Sequence, residues 1–166
     1  AFLSAFSLKT CENLKMGSVR NHGYSLWGND TNYTNNNNQL YTEYDKADFL
    51  HKMLLKLSSK TELLFNTQYS TSSNINRFDK LNDLKEGVRK YSEWYYGPQN
   101  RFMQKININS SMSSCLYDKI SLSLSFQKIN ESRHHKKDTE GLKSNRFENL
   151  SVYDFGVDIN KLLFGT

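Results

Sequence analysis

The residues best equipped for chemistry in this chain are histidines and arginines. His134 and His135 stand side by side, flanked by Arg133, Lys136 and Lys137. Imidazole ligates metals and haem iron, and the cations would attract an anionic ligand. Adjacent residues on an extended chain point to opposite faces, so the two rings cannot grip one metal from one side. The cluster therefore reads as a solvated strand end beside lipopolysaccharide phosphates. His22, in "NHGYSLWG", is better placed for capture: Tyr24 and Trp27 accompany it in a long polar stretch, and loops on a rigid scaffold carry function. The same aromatic and glycine residues also pack long loops together. A second long stretch carries Arg77, Asp79, Arg89, Trp94, Tyr95 and Tyr96. Tyr and Trp there offer contact area with a polar tip. Ligand contact is therefore expected of His22, Tyr24, Trp27, Arg77, Arg89, Trp94 and Tyr95, whereas Tyr96 to Pro98, beside a strand start, reads as an interfacial aromatic girdle. The chain has no nucleophile elbow, metalloprotease helix, Walker loop or paired-cysteine zinc spacing. Neither an enzyme nor a metal site is expected, and Asn35–Asn38 reads as low-complexity loop.

The elements that must hold these residues are strands. In "DKISLSLSFQ", Ile120, Leu122, Leu124 and Phe126 share one face, while Ser121, Ser123, Ser125 and Gln127 share the other. Similar alternation gives six segments, roughly Phe2–Met16, Tyr41–Leu57, Thr61–Ser73, Arg101–Met112, Lys119–Lys137 and Asn145–Leu163. In the last, Tyr153, Phe155, Val157 and Ile159 alternate with Asp154, Gly156, Asp158 and Asn160. Carboxylates opposite a greasy face are easier to place in a watery lumen than in a buried core. The connections alternate too. "SSK" and "SSCLYD" are tight reversals, while the stretches from about Ser18 to Leu40 and Asn74 to Gln99 are long, as in a membrane barrel with clipped turns at one rim and extended loops at the other.

Composition agrees. Hydrophobic residues make up 37% of 166, mean hydropathy is −0.73, aromatics reach 13%, and there is one proline. That profile suits amphipathic strands more than a leucine-rich globule. No apolar run approaches the ~18 residues of a spanning helix. A net charge of +5 is compatible with nucleic acid or phosphate-bearing headgroups and selects neither. Cys11 and Cys115 are expected at opposite ends of the sheet, too far apart for a disulfide. Six strands cannot close a membrane barrel, which needs about eight. Ala1 opens the chain without a leader, so residues 1–166 are expected to be a piece of a longer barrel.

"NLKMGSVRNHGY", "TQYSTSSNINRFDKL", "SEWYYGPQNRFM", "SFQKINESRHHKKD" and "SNRFENLSVYDFGVDI" resemble the barrel of TonB-dependent outer-membrane receptors of the Bacteroidetes type. The resemblance covers nearly the whole chain in order, and "EWYYGPQ" with "ESR" is its most specific part. It implies a barrel of 22 strands around an N-terminal plug. It further implies uptake of ferric siderophore, haem or cobalamin, driven by the inner-membrane TonB complex. Its expected surroundings are outer-membrane lipid and lipopolysaccharide, with no nucleic acid partner and no cofactor resident in this stretch. The chain departs from the pattern in lacking the plug, the TonB box and the terminal aromatic strand. The readings left beside it are a small structural or porin-like barrel and a soluble β-sheet binding module.

Overall fold

The alternating segments form strands because their β-branched and aromatic residues fit a pleated surface. A computed structural model describes residues 1–17, 32–139 and 141–162. In chain order the elements are β1 (Phe2–Cys11), β2 (Thr34–Asn35), β3 (Asn38–Gln39), β4 (Tyr44–Lys56), β5 (Thr61–Ser72), β6 (Ile75–Asn76), a single turn α1 (Phe78–Leu81), β7 (Leu84–Lys85), β8 (Val88–Arg89), β9 (Tyr91–Tyr96), β10 (Asn100–Ser110), β11 (Lys119–Lys137) and β12 (Lys143–Asn160). The six long strands pair antiparallel as β1-β4-β5-β10-β11-β12, each beside its neighbour in sequence. The fold is all-β and up-and-down. The sheet is not closed: among the described residues β1 and β12 are its outer long strands, and the short β6, paired with β9, ends a branch of its own. No described helix is long and apolar enough to cross a membrane.

Register sorts the side chains by chemistry. Phe2, Met53, Phe65, Ile106, Leu124 and Phe155 oppose one another in a single rung across all six strands. Leu55, Leu63, Ile108, Leu122 and Val157 form the next rung towards the short turns. On the loop side, Phe6, Phe49, Tyr69 and Phe102 stand in register. Phe126 lies beside Phe102 at 6.4 Å and Tyr153 beside Phe126 at 5.1 Å, so every long strand contributes one ring to a belt. No described element covers this apolar face: Phe2 is 79% exposed and Phe155 70%. One rung breaks the pattern. Ser4, His51, Thr67 and Gln104 sit between the belt and the aliphatic rungs, satisfied in pairs by Ser4 Oγ···His51 Nδ1 at 2.8 Å and Thr67 Oγ1 donating to Gln104 Oε1 at 2.6 Å.

The opposite face carries rungs such as Lys52, Asn66, Lys105, Ser125 and Asp154, and Lys56, Glu62, Asn109, Ser121 and Asp158. Every carboxylate on the long strands lies there except Asp45. Ser121 donates to Asn109 at 2.7 Å and Asn109 to Glu62 at 3.2 Å, so side chains satisfy one another laterally. Leu54 and Leu64 oppose each other as an apolar pair within this polar field.

Both short turns lie at one end. Leu57 N donates to Thr61 O at 2.9 Å, and Ser114 N to Tyr117 O at 2.8 Å, while Ser114 Oγ accepts the amides of Leu116 and Tyr117. Asp118 closes the second turn onto β12 by accepting from Ser113 Oγ, Lys161 Nζ and Leu162 N. These donors hold its carboxyl at about 2, below the ordinary carboxylate range. Cys11 lies at the loop end and Cys115 at the turn end.

Three features depart from the sequence expectations. Asn35–Asn38 is not plain loop: Asn36 and Asn37 adopt φ of 47° and 66° and turn a two-residue hairpin between β2 and β3, because asparagine tolerates the left-handed region that such turns need. Glu86 and Gly87 do the same between β7 and β8. The end of the second long connection is also strand, since β9 continues past β10 along the last five residues of β11, Arg133 to Lys137. Between them, Tyr96 opposes Arg133 and Asn100 opposes Asn130, so three residues, 97 to 99, face two, 131 and 132. This one-residue bulge reverses the alternation. Tyr96 therefore faces the polar side with Trp94, and Tyr95, not Tyr96, lies on the apolar side at the expected girdle.

Candidate functional site

The buried hydrophobic residues gather at the loop end of the polar face. Phe78 and Leu81, one helical turn apart on α1, pack with Tyr33 and Trp94, each 9% exposed or less. Met16, Tyr91 and Tyr96 pack against this cluster. Trp94 and Tyr96 meet edge to face at 5.2 Å, the arrangement that aligns a ring's positive edge with its neighbour's negative face.

Arginines hold the rings in place. The Arg77 guanidinium lies 5.0 Å from the Trp94 ring and 5.7 Å from that of Tyr96. It donates to Tyr96 Oη at 2.9 Å and, through two nitrogens, to both oxygens of Asp79 at 2.7 and 2.6 Å. That paired geometry holds the Asp79 carboxyl below its ordinary range and raises the arginine further. Arg133 approaches the same Tyr96 ring at 5.5 Å. Arg89 sits 5.6 Å from the Tyr33 ring and donates to Tyr33 Oη at 3.2 Å. Cation–π contact at partly desolvated rings contributes roughly 0.5–2 kcal/mol each.

Arg77, Arg89 and Trp94 are thus brought into one cluster, to which Tyr33, Phe78, Leu81, Tyr96 and Arg133 also belong. Phe78 and Leu81 were visible in the sequence only as an i, i+3 apolar pair in "RFDKL". Tyr95 stands apart on the opposite face: its ring stacks on His134 at 4.8 Å, and Lys143 Nζ lies 4.9 Å from it while pairing with Glu93 at 2.5 Å. His22, Tyr24 and Trp27 lie outside the described residues. His134 and His135 do face opposite ways, His134 towards Tyr95 and Phe147, His135 edge-on to Tyr91 at 5.7 Å. Neither shares a ligand set; among the described residues no group of three His, Cys, Asp or Glu could hold a metal ion.

The two most specific strings of the sequence meet here. Tyr96 and Gly97 of "EWYYGPQ" pair with Arg133 and Ser132 of "ESR", Gly97 N donating to Ser132 O at 2.9 Å. A Cβ at Gly97 would collide with Ser132 Oγ, which reaches His134 Nε2 at 2.9 Å, so glycine leaves room for that hydroxyl. Arg77, from "NINRFDKL", completes the junction. What the arrangement does chemically is fasten the second long connection to β11 while presenting guanidinium groups to the polar side. A hollow of about 730 Å³ lies elsewhere, at the turn end near Lys56, Lys60, Glu62, Asn109 and Lys119.

No protein family, curated protein or solved structure matches the chain.

Proposed function

We propose that this chain is a stretch of the wall of an outer-membrane β-barrel of the TonB-dependent receptor kind, serving active uptake of a scarce ligand such as ferric siderophore, haem or cobalamin. The observation that carries the reading is the uncovered apolar face, with rungs of aliphatic and aromatic residues running across six antiparallel strands up to a belt of rings. A lipid-facing barrel wall needs such a band flanked by aromatic residues, and tilted strands draw a level belt diagonally across their rungs. The segregation of carboxylates to the other face fits an aqueous interior. What narrows a barrel to a receptor is the resemblance in sequence, whose strings meet at the arginine–aromatic junction under the long connections.

The test is made on the full chain in its own cells. The protein is expected in the outer-membrane fraction, and its loss is expected to abolish growth on one iron chelate, haem or cobalamin source in a manner requiring the proton-motive force. Recovery as a folded monomer without detergent would overturn the membrane reading. Membrane residence with energy-independent permeation would favour the porin-like alternative. One observation favours a soluble β-sheet module instead: the Ser4–His51–Thr67–Gln104 rung, which places polar groups inside the apolar band.

A further inference from the structure

The hollow of about 730 Å³ at the turn end lies far along the sheet from the arginine–aromatic cluster, and its lining is of a different kind. We propose that it binds a small, non-aromatic molecule carrying two or more phosphate groups. The site depends only on the polar face, and it stands whether that face lines a pore or meets open solvent.

Charge points to an anion. Lys56 at the end of β4, Lys60 in the turn that follows and Lys119 at the start of β11 all line the hollow, and all are exposed. Lys161, at the same end, is taken up by Asp118 at 3.1 Å, whereas Lys56, Lys60 and Lys119 have no such partner among the described residues. The one carboxylate in the lining is Glu62. It stands opposite Lys56 in register, yet it accepts from Asn109 Nδ2 at 3.2 Å, and Asn109 Oδ1 accepts from Ser121 Oγ at 2.7 Å. A lateral chain of side chains thus holds the acid within the sheet. Asp158 ends the same rung on β12 and does not line the hollow. Three ammonium groups against one carboxylate leave an excess of positive charge facing the space.

Hydrogen bonding points to phosphate oxygens. Ser58 Oγ accepts the Lys60 amide at 3.1 Å, which leaves its own proton to donate. The amide and hydroxyl of Ser59 have no partner among the described residues. Turn amides and hydroxyls beside an ammonium form a donor set suited to phosphate.

The lining narrows the class further. The volume lies within the range of small-molecule sites and well above what one inorganic phosphate fills. No guanidinium lines it to grip a planar carboxylate, and three separate point charges favour an anion whose charge is spread over several groups. No aromatic ring lines it, so a nucleobase would find no stacking partner.

The experiment titrates the full chain, in detergent if its fold requires it, with pyrophosphate, fructose 1,6-bisphosphate and inorganic phosphate, followed by calorimetry at fixed salt. One of the first two should bind at least roughly tenfold more tightly than phosphate, and the tighter of them assigns a condensed or a sugar-borne occupant. Lys60→Gln and Lys119→Gln should each weaken that binding several-fold, and the triple variant Lys56→Gln, Lys60→Gln, Lys119→Gln should abolish it. Lys128→Gln, on the opposite face, should leave it unchanged. Amide exchange across β4, β5 and β11 checks that each variant keeps its fold. Equal affinity for phosphate and the two larger anions, or a folded triple variant that binds as wild type, would overturn the site. An equal loss in Lys128→Gln would reduce it to diffuse charge attraction and overturn it as well.

Discussion

The two ends of the sheet are held by different physics. Towards the short turns, large apolar side chains stand exposed on one face and hydrogen-bonded polar ones line the other, so backbone ladders and lateral pairs carry the structure. Towards the long connections, Tyr33, Phe78, Leu81 and Trp94 make a small conventional core, clamped by arginines. The difference teaches where each end draws its stability. The first needs something beyond the described elements to cover it, and the second covers itself.

That contrast can be broken at the self-covering end first. Trp94→Ala removes the largest side chain of the cluster and the face on which Arg77 rests, a loss of about 3–5 kcal/mol by the usual cost of emptying an aromatic site. The damage should be local: proteolysis within residues 74–99 should accelerate while β10, β11 and β12 keep their hydrogen-exchange protection. At the other end, Leu124→Arg puts a charge in the middle of the apolar band. If that band faces hydrocarbon, it should cost about 2–4 kcal/mol and reduce assembly into the outer membrane. Asp154→Arg, on the neighbouring strand and exposed on the polar side, should assemble normally; equal outcomes for the two would erase the proposed difference between faces.

Gly97→Ala probes the seam between the two regimes. The added methyl must displace Ser132 Oγ from His134, at about 1–3 kcal/mol for overpacking a tight contact, and should raise exchange at Gly97 and Ser132 while leaving the turn end unchanged. The smallest effects are expected from acid. Asp79 and Asp118 both titrate lower in the folded chain than in the unfolded one. Their contribution is therefore full above the ordinary carboxylate range, near 3.9 by reference. It is lost as pH falls through the folded value, about 2 for Asp118. The β10–β11 turn should stay protected well below pH 4, whereas Asp118→Asn should loosen it at neutral pH, as measured by amide exchange at Leu116, Tyr117 and Leu162.

Much of this architecture was legible in the chain itself. Period-two alternation marks all six long strands and their faces, because an uncovered or half-wet sheet writes its pleat directly into the sequence. The short turns were legible from their serines. The arginine–aromatic junction was not, because it joins residues from Tyr33 to Arg133 through register, which local spacing does not encode. Tyr96 was misplaced for a sharper reason: standing beside a strand start does not fix the face a residue takes when an extra residue intervenes, and Gly97–Pro98–Gln99 supplies one. Pro98 in that stretch marks a ladder that cannot be continuous, and is the one local clue to it.

That surplus residue works as a toggle. Remove Gln99, leaving composition otherwise intact, and everything upstream would turn over by half a pleat: Tyr95 would be handed to the guanidiniums, and the indole of Trp94 would be sent outward. Chain length at this point, more than residue identity, decides which rings take the polar side of the sheet and which the apolar side.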